Sequence, residues 1–173
     1  MILIVILIAI LFISVLVSGV EIVKENTVYA IEAFGKFDRI MTAGLNFRIP
    51  LIEDVAEKVT LKQQNLTQAG RYHTKDTMAI DISTNIIFVV IPTSESVKKY
   101  IYSLDDREKS LATTIENSLR ASIARESRED VLAKKEALVK EVWKELDTQF
   151  QQWGIKIISF QIMGVKLATT AFA

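Results

Sequence analysis

The chain has 173 residues, with 21 basic and 21 acidic side chains, one His and no Cys. That length suits one domain, or one domain with an appendage, and the balanced charge excludes a polybasic nucleic-acid binder and an acidic disordered tail. The missing Cys excludes a disulfide framework, a thiolate metal site, a Cys nucleophile and a lipidated Cys, and a single His excludes paired-His metal motifs such as HExxH.

Every charge lies at or beyond Glu21, and 17 of the first 20 residues are hydrophobic. About 20 apolar residues at 1.5 Å each can cross a hydrocarbon core of about 30 Å. Residues 1–20 (MILIVILIAILFISVLVSGV) therefore read as a transmembrane anchor. A cleaved signal peptide fits less well, because no basic residue precedes the run and no A-x-A site follows it. A buried core helix fits poorly too, since the segment is apolar on every face. Lys24, Lys36 and Arg39 follow the anchor, so the positive-inside rule places the following domain in the cytoplasm.

Residues 28–34 (VYAIEAF) read as a strand that ends at Gly35. Thr42, Ala43 and Gly44 make a turn. Residues 45–52 (LNFRIPLI) contain Pro50 and read as an edge strand or an irregular loop. Leu45, Phe47, Ile49, Leu51 and Ile52 make this segment unusually apolar. They either fill the domain core or form a loop that dips into the bilayer interface beside the anchor. Residues 55–61 alternate as a half-buried strand. Residues 63–76 are polar, include Gly70 and read as a loop or short hairpin. Residues 79–91 (AIDISTNIIFVVI) are the strongest strand, stopped by Pro92.

Thr93 suits the cap of a short helix over 94–103. Asp105 opens a longer helix in which Leu111, Ile115, Leu119 and Ile123 recur every fourth residue. Ser127-Arg-Glu-Asp130 fits a capping box. The helix it starts is expected to run to Gly154, with Val131, Leu138, Val142, Leu146 and Phe150 as its apolar stripe and Trp143 and Trp153 close by. Residues 155–163 form a last strand. Anchor, strands, helices and strand together predict an α+β fold.

Charges on the last helix stand in rows. Lys140 and Lys144 form one i,i+4 pair, and Glu141 and Glu145 form another. Like charges at this spacing destabilise an isolated helix slightly. The rows suit an oligomer interface in which a neighbouring copy presents the complementary row. The plain alternative is a solvated face with cancelling cross pairs such as Glu136–Lys140. Catalysis finds little support, since no G-x-S-x-G, P-loop or G-x-G-x-x-G occurs. His73 and Asp76 offer the sole basis for a hydrolase, and a lone His in a polar stretch is ordinarily a solvated side chain.

Four stretches together resemble the SPFH (band-7, prohibitin-homology, stomatin-like) family: YAIEAFGKFDRIMTAGL from Tyr29, Ile49-Pro50, TKDTMAIDI from Thr74 and WGIKIISFQI from Trp153. Leu119-Arg120 matches a further recurrent dipeptide. Two departures stand out. Ala43 replaces the usual Pro, and Gly164-Val165-Lys166 replaces an acidic residue followed by prolines. The resemblance implies an anchor at 1–20, an SPFH domain at 21–165 and the start of a C-terminal helix or tail at 166–173. It implies no catalytic residue, cofactor or metal. It also implies a membrane scaffold that assembles into large rings or cages and encloses a lipid microdomain. Its expected partners are membrane lipids and further copies of itself or a paralogue, with a membrane protease of the AAA+ type as a possible client and no nucleic acid. The simple domain and spanning anchor point to a single-pass protein of a bacterial or archaeal cell membrane. The alternative role is that of a regulator binding a protease or channel in a small complex.

Overall fold

The computed structural model describes residues 1–167. One apolar helix leads into an α+β domain with three small antiparallel sheets. Helix α1 (Ile2–Ser18) has 17 residues and no charge, which at 1.5 Å per residue gives about 25 Å. Among the described residues, no helix is long and apolar enough to cross a membrane. The expected 20-residue span is cut short because Gly19 turns the chain and Val20 opens strand β1 (Val20–Val23).

Strand β1 pairs with β4 (Gly44–Phe47), with Val20 opposite Phe47 and Ile22 opposite Leu45. The second sheet has the order β3-β2-β5, from β2 (Thr27–Ala33), β3 (Lys36–Met41) and β5 (Glu53–Thr60). Sequence reading missed β1, of which only Val20 fell within the expected anchor, and β3, whose charges hide its alternation. Strand β2 is central and buried on both faces. One face joins Val23 and Met41 through Tyr29 and Ile31, and the other joins the main core through Val28 and Ala30.

The third sheet has the order β6-β7-β8, from β6 (Gln64–His73), β7 (Ala79–Val90) and β8 (Ile155–Leu167). The segment at 63–76, expected as a loop or short hairpin, is thus mostly a ten-residue strand. Asn65, Thr67, Arg71 and His73 face outward on an edge strand, while Leu66 and Tyr72 turn toward the core and share that side with the half-buried Gln64 and Gln68. This outward polarity is what hid the strand. Strand β7 alternates strictly between buried and half-buried positions and sits in the centre. Of the segment expected as a C-terminal helix or tail, Lys166 and Leu167 continue β8, and the rest lies outside the described residues.

Helices cover one face of this sheet. Thr93 caps α2 (Ser94–Tyr102) and Asp106 caps α3 (Arg107–Ile123). Ser127 caps α4 (Arg128–Ala133). The single helix expected from Ser127 to Gly154 is broken at Lys134, and α5 (Lys135–Gln151) follows. Leu111, Ile115, Leu119 and Ile123 of α3 pack with Leu138, Val142, Leu146 and Phe150 of α5 over Ile80, Ile82, Ile86 and Phe88 of β7. Trp143 is not a core residue; it remains 39 % exposed on α5. Helix α3 lies toward β6 and α5 toward β8.

Gly154 closes α5 at φ +74°, and a Cβ there would stand 2.1 Å from the Ser96 carbonyl oxygen. Backbone strain and a clash against backbone therefore coincide. Gly154→Ala is expected to cost about 3 kcal/mol or more in denaturant unfolding. A cost below about 1 kcal/mol would show that the α2–α5 junction is looser than described.

Candidate functional site

The apolar segment at 45–52 folds as strand β4 followed by a tight turn. Ile52 and Glu53 both donate backbone N–H bonds to the Ile49 carbonyl, at 3.3 and 2.9 Å. Pro50 occupies the second turn position, where its fixed φ is favourable. Leu51 takes the third at φ +73°. That conformation favours Gly and costs about 1–2 kcal/mol for other residues. Leu51 is nevertheless 95 % exposed. Leu45, Phe47, Ile49 and Ile52 are exposed as well, so none of the five fills the core.

A second strained apolar residue stands beside this turn. Phe34 and Gly35 join β2 to β3 at φ +51° and +75°, as a two-residue type I′ hairpin requires. The Phe34 N–H donates to the Ile52 carbonyl at 3.2 Å, and its ring is 81 % exposed. Val20 and Ile22 of β1 are also exposed. The Arg48 N–H donates to the Gly19 carbonyl at 2.8 Å, which ties the end of α1 to the end of β4. One end of the domain thus carries Val20, Ile22, Phe34, Leu45, Phe47, Ile49, Leu51 and Ile52, continuous with an apolar helix. Sequence reading found five of these. Val20 was read as the last residue of the anchor, and Phe34 and Ile22 were missed, since their exposure follows from tertiary placement rather than from local pattern.

The backbone behind this patch is held by one inward carboxylate. Glu53 is 5 % exposed. Arg39 donates to both of its oxygens at 2.8 and 3.0 Å, and the Ile49 N–H donates at 2.7 Å. Arg39 also donates to the Phe47 carbonyl, and Arg48 donates to the Glu53 carbonyl. Burial raises the Glu53 pKa, but the Ile49 bond, the Arg39 bond and the charges of Arg39 and Arg48 outweigh it. The carboxyl is held below its ordinary value of 4.5. Arg48 further faces Glu21 at 3.4 Å and Asp54 at 3.9 Å.

The α5 row separates in space. Lys140, Glu141, Lys144 and Glu145 are all exposed. Glu141 faces α3, with the Ser122 hydroxyl and the Arg125 guanidinium each at 3.5 Å. Glu145 accepts from Gln149 at 3.3 Å. Among the described residues, Lys140 and Lys144 enter no ion pair; Lys140 lines a cleft with Val139 of α5 and Phe160 and Ile162 of β8. The structure does not bring a catalytic set together at His73. That residue is exposed at the end of β6, and Asp76 accepts the Arg128 N–H at the start of α4. Among the described residues, no cluster of three metal-ligating side chains occurs.

This geometry defines a domain whose apolar end extends an apolar helix, with its folded core set beyond that end. The chain matches the SPFH domain / Band 7 family over residues 21–172, and it belongs to that family. It is 22 % identical over 148 residues to an uncharacterized protein of Schizosaccharomyces pombe, covering 85 % of this chain and 41 % of that one. It is 23 % identical over 141 residues to the modulator of FtsH protease HflK of Escherichia coli, covering 81 % and 33 %. It is 22 % identical over 145 residues to human mitochondrial stomatin-like protein 2, covering 83 % and 39 %. The chain spans less than half the length of each of these relatives.

Glu53 supplies the pH prediction. Its folded pKa is depressed, so its contribution is full above the ordinary glutamate value and is lost as pH falls through the folded value. Glu53→Gln is expected to cost about 1–3 kcal/mol at neutral pH and to flatten the loss of stability below pH 4.5. Thermal melts of both proteins against pH check this. Parallel curves would contradict the assignment.

Proposed function

We propose that the chain is a membrane-anchored, non-enzymatic scaffold. Copies assemble into large rings or cages that enclose a lipid patch and organise membrane proteins. The continuous apolar surface from α1 to Leu51 carries this reading. Exposed apolar surface of this extent calls for a nonpolar partner, and the helix adjoining it is apolar throughout. Helix α1 is about 25 Å long against a hydrocarbon core of about 30 Å. Local bilayer thinning bridges such a difference at modest cost. The turn at Leu51 and the hairpin at Phe34 then add membrane area in each copy. Lys24 and Lys36 are exposed beyond the anchor, which favours a cytoplasmic domain, and the simple domain with a spanning anchor suits a bacterial or archaeal cell membrane.

Many copies in one ring multiply weak lipid and protein contacts. The α5 row of Lys140, Glu141, Lys144 and Glu145 is proposed as part of the surface between copies. A second reading is a regulator that binds a membrane protease in a small complex. It is favoured by the likeness to the E. coli relative, a modulator of FtsH protease.

The native mass of the chain, expressed in a cell membrane and released with mild detergent, separates the readings. A large homo-oligomer is expected. A monomer overturns the scaffold, and a small complex held only to a foreign protease replaces it with the second reading.

A further inference from the structure

We propose that the apolar end of the domain gauges bilayer thickness. Gly19 joins that end rigidly to α1, so the end sinks further into the membrane as the hydrocarbon core thickens. The proposal rests on the membrane-anchor reading of α1 and names the property of the lipid that the anchored end responds to.

One residue separates the helix from the domain. Helix α1 ends at Ser18, whose hydroxyl donates to the Val15 carbonyl at 2.8 Å, and β1 begins at Val20. Gly19 between them is buried. A Cβ at this position would collide with the Arg48 carbonyl oxygen and stand 2.7 Å from the Phe47 ring. A ring can turn aside, but a main-chain carbonyl moves only with its strand. The Gly19 carbonyl also accepts the Arg48 N–H at 2.8 Å. Close approach therefore requires glycine here, and the joint has no slack.

From this joint, hydrogen bonds lead to the outward turn. The Arg48 guanidinium donates to the Glu53 carbonyl at 3.1 Å. The Glu53 N–H donates to the Ile49 carbonyl at 2.9 Å, and the Ile49 N–H donates to the Glu53 carboxylate at 2.7 Å. These bonds hold both ends of the turn that carries Leu51. Val20 stands opposite Phe47 and Ile22 opposite Leu45, which adds the pairing of β1 with β4. Helix and turn are thus one rigid piece.

A short rigid anchor meets a thicker core by thinning the bilayer around it or by drawing one of its ends inward. At the far end, the first N–H groups of α1 lack partners within the helix and hold that end to the headgroups. The domain end is different. It continues the helix with exposed Leu51, Phe34, Leu45 and Phe47, and apolar surface ordinarily enters the interface by about 5–10 Å. Helix α1 covers about 25 Å of a core of about 30 Å. Immersion of the domain end supplies the remainder and reduces the thinning required. A core of about 27 Å leaves the Leu51 turn near the headgroups, and one of about 33 Å draws it inward. Lys36 and Asp54, which follow the two turns in the chain and are exposed, limit the depth.

Fluorescence in vesicles tests this. The chain has no Cys, so Leu51→Cys and Ala9→Cys each carry one polarity-sensitive fluorophore, with circular dichroism to check folding. The full chain is reconstituted in dimyristoleoyl-, dioleoyl- and dierucoyl-phosphatidylcholine. Emission at 51 is expected to move to shorter wavelength at each step of chain length, while emission at 9, in the middle of α1, stays short in all three. A Gly-Ser-Gly-Ser insertion between Gly19 and Val20 breaks the joint and leaves β1 free to pair with β4. In that variant the emission at 51 is expected to stay constant across the lipids. Constant emission at 51 in the uninterrupted chain, with 9 still in lipid, overturns the gauge and leaves the anchor standing. An equal shift with and without the insertion overturns the role of Gly19. Water-like emission at 9 overturns the anchor reading and the proposal with it.

Discussion

The buried carboxylate of Glu53 is the interaction on which the apolar end of this domain depends. It accepts from Arg39 twice and from the Ile49 backbone once. The turn at 49–52 therefore meets its polar demands on the inner side, and its side chains are free to point away. Arg39 reaches the Phe47 carbonyl and Arg48 the Glu53 carbonyl. Together these bonds tie β3, β4 and β5 into one base. A buried charge of this kind is costly unless it is fully met, and here every partner also positions an apolar side chain outward. Two of those outward residues, Leu51 and the neighbouring Phe34, occupy backbone conformations better suited to Gly. A large apolar side chain is held there at a cost of about 1–2 kcal/mol, and burial in a nonpolar medium is a gain that can offset it.

The rest of the architecture separates two tasks. The sheets formed by β1 to β5 present the apolar end and continue α1. The sheet β6-β7-β8 with α3 and α5 provides the main core, and among the described residues both of its outer strands pair only with β7. Between them, Arg107 of α3 bonds Glu57 of β5 at 2.7 and 3.1 Å. Tyr102 of α2 donates to Glu32 of β2. Burial first, and then the Glu32 bond, push the Tyr102 pKa up to about 12. The hydroxyl therefore stays protonated and able to donate through the physiological range. These ties fix how an apolar end would be oriented relative to contacts between copies. A scaffold needs that relation to be constant from one copy to the next.

Much of this was legible in the sequence where periodicity and capping agree. Strand β7, helices α2 and α3, the Ser127 cap and the core stripe of α5 all read correctly, because their buried residues recur at the period of their element. Strand β6 did not, since an edge strand with polar outward residues resembles a loop. The break at Lys134 carries no Gly or Pro to announce it, so one helix was expected where two stand. Trp143 was placed near the core stripe and is instead half out of it. Leu45 to Ile52 were legible as an apolar segment, but their composition could not tell a core strand from an outward one. That distinction comes from Glu53, a single acidic residue whose inward placement depends on an arginine 14 positions earlier. Phe34 shows the same limit, since a strand-end aromatic becomes an exposed tip only through its hairpin.

The central claim is that the Leu51 turn lies in lipid. A nitroxide placed by Leu51→Cys in the membrane-reconstituted chain measures it, with the spin label's accessibility to oxygen compared with that to a polar nickel chelate. A label at Glu129→Cys on the exposed side of α4 of the same protein gives the aqueous reference. The label at 51 is expected to be reached mainly by oxygen and little by nickel, in clear contrast to the label at 129. Equal nickel accessibility at both positions would place the turn in water and contradict it.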